Sequence, residues 1–141
     1  MNRGIYTMFG MVIISMCLFS FMILPDNDWM APAGAKDLKN PTEVNQKTLK
    51  SARSVYNLYC KSCHGTIGKG NGLSADNLKV KCADLTSDKV QVQSDGELYY
   101  KISIGRNEMP SFKGVISDTE ERWLLVNYIR SLKPVEQVNN N

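Results

Sequence analysis

The chain has 141 residues, of which 43% are hydrophobic and 22% charged, and its formal net charge is +3. That length admits one ordinary domain and little more, and the composition excludes wholesale disorder. With so weak a charge and no basic stretch interleaved with aromatics, the chain has no grounds for a nucleic-acid partner.

The first predicted element is apolar. From Gly4 to Leu24 there are 21 residues without a charge. As a helix they would span about 31 Å at ~1.5 Å per residue, which matches a hydrocarbon core. Arg3 precedes the run, Pro25, Asp26 and Asp28 follow it, and Trp29 stands where an interfacial aromatic would. This charge order puts the amino terminus in the cytoplasm and the rest of the chain outside. Residues 1–25 are therefore expected to be a transmembrane anchor. A cleaved signal segment is the competing reading, since Ala31-Pro32-Ala33 has a small-x-small pattern. Cys17 is expected to be an apolar residue of this segment rather than a lipid attachment point, because Met16 precedes it.

Residues 26–47 hold Pro32, Pro41 and many small or polar side chains without a sustained helical period. They read as an extended linker, or a strap over the domain that follows. Residues 48–141 form that domain, and three helices are predicted in it. The first runs from Thr48 to about Cys60, with Leu49, Ala52, Val55, Tyr56 and Tyr59 on one face. The second follows Ser94, which forms a capping box with Glu97, and stops at Gly105. The third follows Ser117, with Glu120 as its box partner, and ends near Leu132 ahead of Pro134. A glycine-rich stretch containing Gly65, Gly68, Gly70 and Gly72 lies between the first two, followed by a possible short helix near Ser74–Leu78. No alternating strand pattern appears, so the fold class is all-α.

The chemistry is concentrated in rare residues. Cys60-Lys61-Ser62-Cys63-His64 has the Cys-x-x-Cys-His spacing of covalent haem c attachment. Two thiols three residues apart at a helix end can each add to one vinyl group, and the adjacent imidazole then faces the iron. A thioredoxin-like dithiol lacks its βαβ setting. A zinc site would need Cys82 as well as this pair and His64, and the adjacency of Cys63 and His64 suits one small tetrahedron poorly. Cys82 itself reads as a buried small residue.

His64 is the only histidine in the chain, so a second imidazole cannot fill the sixth iron position. Lysine and water remain as candidates. Met109 is the only methionine beyond position 30, and it stands in a loop stiffened by Pro110. It is the expected sixth ligand, which makes His64 and Met109 the candidate metal ligands. Such ligation raises the potential and leaves no position for a small-molecule substrate.

Over residues 48–133 the chain resembles the class I cytochromes c. Ala52 and Tyr56 are similar to the small residue and aromatic of that family's first helix. Cys60 to His64 is similar to its haem motif, and Gly105-Arg106 through Met109-Pro110 to its distal loop. Leu125-Val126-Asn127-Tyr128-Ile129 is similar to its last helix. The resemblance implies that the terminal helices cross around one haem, and that Arg106 meets a haem propionate. The stretch Cys63-His64-Gly65 through Gly72, with Ala83-Asp84-Leu85-Thr86, resembles bacterial monohaem subunits of respiratory complexes. The Trp29–Pro32 segment and the anchor are similar to those of the small monohaem subunit of alternative complex III. Family members often carry proline where Leu73 or Cys82 stands here, so the acceptor that orients the His64 ring stays unassigned at this level.

These readings together imply an electron carrier rather than an enzyme. It would sit in the bacterial inner membrane with its haem domain on the periplasmic side. Its partners would be the membrane and redox proteins, as part of a quinol-oxidising complex or a terminal oxidase or as a tethered shuttle. From Gly34 on there are 16 basic against 12 acidic side chains, and Lys61, Lys69, Lys79 and Lys81 lie near the haem motif. Such a rim could steer an acidic partner. A small haem enzyme or gas sensor is the alternative, and it requires a displaceable sixth ligand.

Overall fold

The computed structural model describes residues 29–134. The chain divides into two compact units, residues 1–30 and 31–141. The predicted membrane segment Gly4–Leu24 lies outside the described residues. Among the described residues no helix is long and apolar enough to cross a membrane.

Among the described residues of the second unit five helices follow in order: α1 (Gln46–Tyr59), α2 (Lys61–His64), α3 (Asp88–Gln91), α4 (Asp95–Ile104) and α5 (Thr119–Ser131). Short 3-10 turns occupy Ala33–Asp37 and Ala75–Asn77. Among the described residues the only β pairing is an isolated bridge between Arg106 and Met109. The helical reading of the domain therefore holds.

Local chemistry explains where the helices begin. α1 starts two residues before the expected Thr48, because Asn45 and Thr48 cap each other's backbone N–H groups at 3.0 Å. The Ser94–Glu97 box expected for α4 forms, with Gly105 at its end in a left-handed conformation (φ 69°). At α5 the sequence reading is off by one residue. Asp118, not Ser117, is the cap, and its carboxylate accepts from the Glu120 N–H at 2.8 Å. Serine and aspartate cap about equally well, so residue type alone does not choose between these neighbours. The four-residue α3 is too short to leave a period in the sequence.

The core forms where α1 meets α5. Ala52 and Tyr56 from α1, and Leu125, Val126, Tyr128 and Ile129 from α5, are all buried in one cluster. The Tyr56 and Tyr128 rings meet at 4.9 Å between centroids. These are the small residue and the aromatics that carried the resemblance. Leu98 and Ile102 of α4 extend the same cluster, as do Phe112 and Ile116.

α5 is buried from Arg122 to Ile129, more than one apolar face requires. The segment before α1 is the reason. Asn40 donates to the Asn127 carboxamide at 2.7 Å, and Asn127 donates to the Thr42 hydroxyl at 2.8 Å. A buried asparagine needs such partners, and residues far away in sequence supply them. At Gly96 the Ala35 carbonyl approaches so closely that an added Cβ would lie 1.9 Å from it. Residues 33–42 are thus a strap seated on α4 and α5, and they pack as part of the domain.

Candidate functional site

The haem-motif residues sit where α1 ends. Cys60 closes α1, its N–H bonded to the Tyr56 carbonyl at 2.8 Å, and α2 carries Cys63 and His64. The Cys63 and His64 N–H groups both return to the Cys60 carbonyl, at 3.2 and 2.9 Å. The motif is therefore one helical turn with both sulfurs and the imidazole fixed to it. Cys60, Cys63 and Cys82 are all free thiols.

A helix this short leaves its carbonyls without internal partners. The glycine-rich stretch supplies them. The N–H groups of Ser74, Gly72 and Gly70 bond the carbonyls of Ser62, Cys63 and His64 at 2.8, 3.0 and 2.9 Å. At Gly72 the backbones run so close that a Cβ would lie 2.2 Å from the Ser62 carbonyl oxygen. Glycine is needed there for proximity rather than for flexibility. The sequence singled out these glycines without a role, and the structure makes them the cap of the motif.

Tyr56 ties the turn to the helix crossing. It is fully buried, and its hydroxyl donates to the Gly65 carbonyl at 2.7 Å. Burial raises its phenol far above the usual range, with the Cys60 thiol adding to the shift, so it remains a donor at every working pH.

The His64 ring has a definite partner. Its Nδ1 lies 3.2 Å from the Ala83 carbonyl. Donating there leaves Nε2 deprotonated and free to bind a metal. Burial lowers the His64 pKa, against the opposing pull of that carbonyl, and so favours the neutral ring a metal requires. The Cys82 sulfur is 3.4 Å from the same Nδ1. Sequence reasoning looked for a proline carbonyl at position 73 or 82. The acceptor is the next carbonyl along, and no side chain announces it.

Met109 is half-buried and packs against the core cluster. Its turn is closed by two backbone bonds with Arg106, at 2.9 and 3.0 Å, with Asn107 at φ 53°. Arg106 is therefore held beside Met109 by its backbone and is half-buried. The Cys60 thiol is pushed up to about 12, first by burial and then by Cys63. Such a site disfavours a thiolate but suits an uncharged thioether. A neutral imidazole, two unpaired thiols on one turn and a half-buried thioether are the donor set of a c-type haem, and the residues present fit it.

Comparison with known proteins agrees. Residues 47–129, more than half of the chain, match the family described as cytochrome c oxidase, cbb3-type, subunit III. The chain belongs to this family of c-type cytochromes. Among solved structures it is similar to a chain of the reducing HAO-like protein complex of Kuenenia stuttgartiensis, at 29% identity and a TM-score of 0.60. That match covers 69% of this chain and 50% of the other, so the cytochrome spans half the length of its structural relative. No curated protein matches. The chain is a monohaem cytochrome c carrying covalently bound haem, and its domain transfers electrons.

Not every candidate on the charged rim stays available. Lys69 is paired with Asp84 at 3.3 Å and donates to Thr86, while Lys61, Lys79 and Lys81 remain exposed. The Asp84 pKa is lowered first by the Thr86 hydroxyl, and Lys69 adds to this.

The contact between Cys82 and His64 generates a test of which thiols matter. Cys82→Ser is expected to carry one haem per chain with an unchanged pyridine haemochrome spectrum. Loss of covalent haem in that variant would assign a thioether to Cys82.

Proposed function

We propose that Cys60 and Cys63 hold the haem through two thioethers, with His64 Nε2 and Met109 as the axial ligands of its iron and Arg106 facing a propionate. The observation that carries this reading is the 3.2 Å contact from His64 Nδ1 to the Ala83 carbonyl, which leaves the other ring nitrogen for the metal. The bound haem supplies a one-electron ferric–ferrous couple. The chain's part is to hold that couple in place. The motif turn fixes the macrocycle, Ala83 sets the orientation and tautomer of the His64 ring, and Pro110 and the Arg106 bridge hold the Met109 sulfur. Both axial positions filled by the protein make a carrier rather than a catalyst.

The carrier works on the periplasmic face of a bacterial inner membrane, as a subunit or short-range shuttle of a respiratory complex. One observation supports this. The uncharged run Gly4–Leu24 is long enough to span a bilayer.

Two measurements test these readings. Replacing an axial thioether changes the potential within a range that axial ligands set over about 0.8 V. Met109→Ala is expected to keep its haem and to lower the midpoint potential by about 100 mV or more, a roughly 50-fold shift at 59 mV per tenfold. An unchanged potential would remove Met109 from the iron. For the anchor, the intact mass of protein purified from its native membrane is expected to include residues 1–25, and a mature start near Gly34 would contradict it.

A further inference from the structure

Between His64 and Met109 runs one short piece of chain, Lys79 to Ala83. At its far end the Ala83 carbonyl holds the His64 ring. At its near end the N–H groups of Lys79 and Val80 both donate to one carboxylate oxygen, Oε2 of Glu108, at 2.8 and 3.2 Å. Glu108 is the residue before Met109, inside the turn closed by the Arg106 bridge. Two consecutive N–H groups converging on one side-chain oxygen make a two-point clamp, which fixes the direction of the segment as a single bond would not.

The clamp spans 28 and 29 residues of sequence. Its surroundings show what it has to hold. Leu78 before the segment is bonded to Ala75, and Leu85 after it to Gly68, so both flanks are tied to the side of the haem motif. Glu108 ties the start of the segment to the other side. Val80 is 51% exposed and Lys79 and Lys81 are exposed, so burial does little to hold this stretch. The clamp does more of that holding than packing can.

We propose that Glu108 is a positioning residue for both axial ligands, coupling the orientation of His64 to the hold of Met109 through the Lys79–Ala83 segment. The proposal rests on the reading of His64 and Met109 as iron ligands. Its physical content is geometric. A side chain that accepts both N–H groups serves whether charged or neutral. One that cannot accept them frees the segment, loosens the Ala83 contact and lets the Met109 turn open. Had Glu108 acted only as a loop staple, its loss would lower the melting temperature and leave the iron's ligand exchange unchanged.

The test is cyanide binding to the ferric holoprotein, since cyanide reaches the iron only when the sixth ligand leaves. Four proteins are compared: wild type, Glu108→Ala, Glu108→Gln and Met109→Ala. Haem content is measured for each, and the weak sulfur-to-iron charge-transfer band is recorded for each. Glu108→Ala is expected to bind cyanide about tenfold faster or more and to show a weakened band. Glu108→Gln, whose carboxamide oxygen can accept both N–H groups, is expected to restore wild-type behaviour. If Glu108→Ala yields no holoprotein, Glu108→Asp takes its place, because its shorter side chain cannot reach both amides. An exchange rate within twofold of wild type in the Ala or Asp variant would overturn the proposal. Equal acceleration in the Gln variant would overturn it too, because charge rather than geometry would then be responsible. Met109→Ala separates the two levels. If it exchanges no faster than wild type, the ligand reading itself fails; if it alone is fast, only the role of Glu108 fails.

Discussion

The hydrogen bond from the Tyr56 hydroxyl to the Gly65 carbonyl joins the two halves of this domain's logic. On one side Tyr56 is wedged into the α1–α5 contact against Tyr128 and beside Ala52, where the core of a small protein is made. On the other it grips the residue that follows His64. A domain of this size has little core to spare, and a covalent cofactor supplies much of what is missing. Placing the attachment turn one hydrogen bond from the helix crossing makes the same packing serve stability and ligand placement. The rest is built outward from that turn. The glycine loop closes its carbonyls, the Ala83 carbonyl aims its imidazole, and the strap closes over α5.

Much of the site was legible because covalent chemistry fixes its spacing. Cys60, Cys63 and His64 must lie on one turn, and a unique histidine and an isolated methionine left few alternatives for the iron. The Ser94–Glu97 box was legible for a similar reason, since both partners announce themselves by residue type within four positions. What stayed hidden depends on backbone atoms or on distance along the chain. The acceptor for His64 is a carbonyl, which every residue carries, so nothing marks Ala83 as special. Glu108 looked like a loop charge because its partners are two amides from a segment nearly thirty residues earlier. The strap's hold on Asn127 spans still more of the sequence, and each of its residues alone reads as linker. The cap of α5 shifted by one position because Ser117 and Asp118 are both good caps and only the fold chooses between them.

The same geometry bears on what the protein is for. On the proposed ligand set, with His64 and Met109 both at the iron, the haem would exchange electrons without binding substrate. The protein's influence is then on the potential, through the hold of its ligands and the burial of the macrocycle. The strap adds a mechanical constraint. Residues 33–42 of the apparent linker (26–47) fold onto α4 and α5 and pack as part of the domain.

The central claim is that Met109 closes the iron opposite His64. Proton NMR of the ferrous holoprotein tests it most directly. A methionine methyl bound at the iron lies against the face of the macrocycle, whose ring current moves its resonance far upfield of every other signal. The expected result is one such three-proton resonance, assigned to Met109 and absent from Met109→Ala. A ferrous spectrum without that upfield methyl would contradict the claim and leave the sixth position to water or lysine.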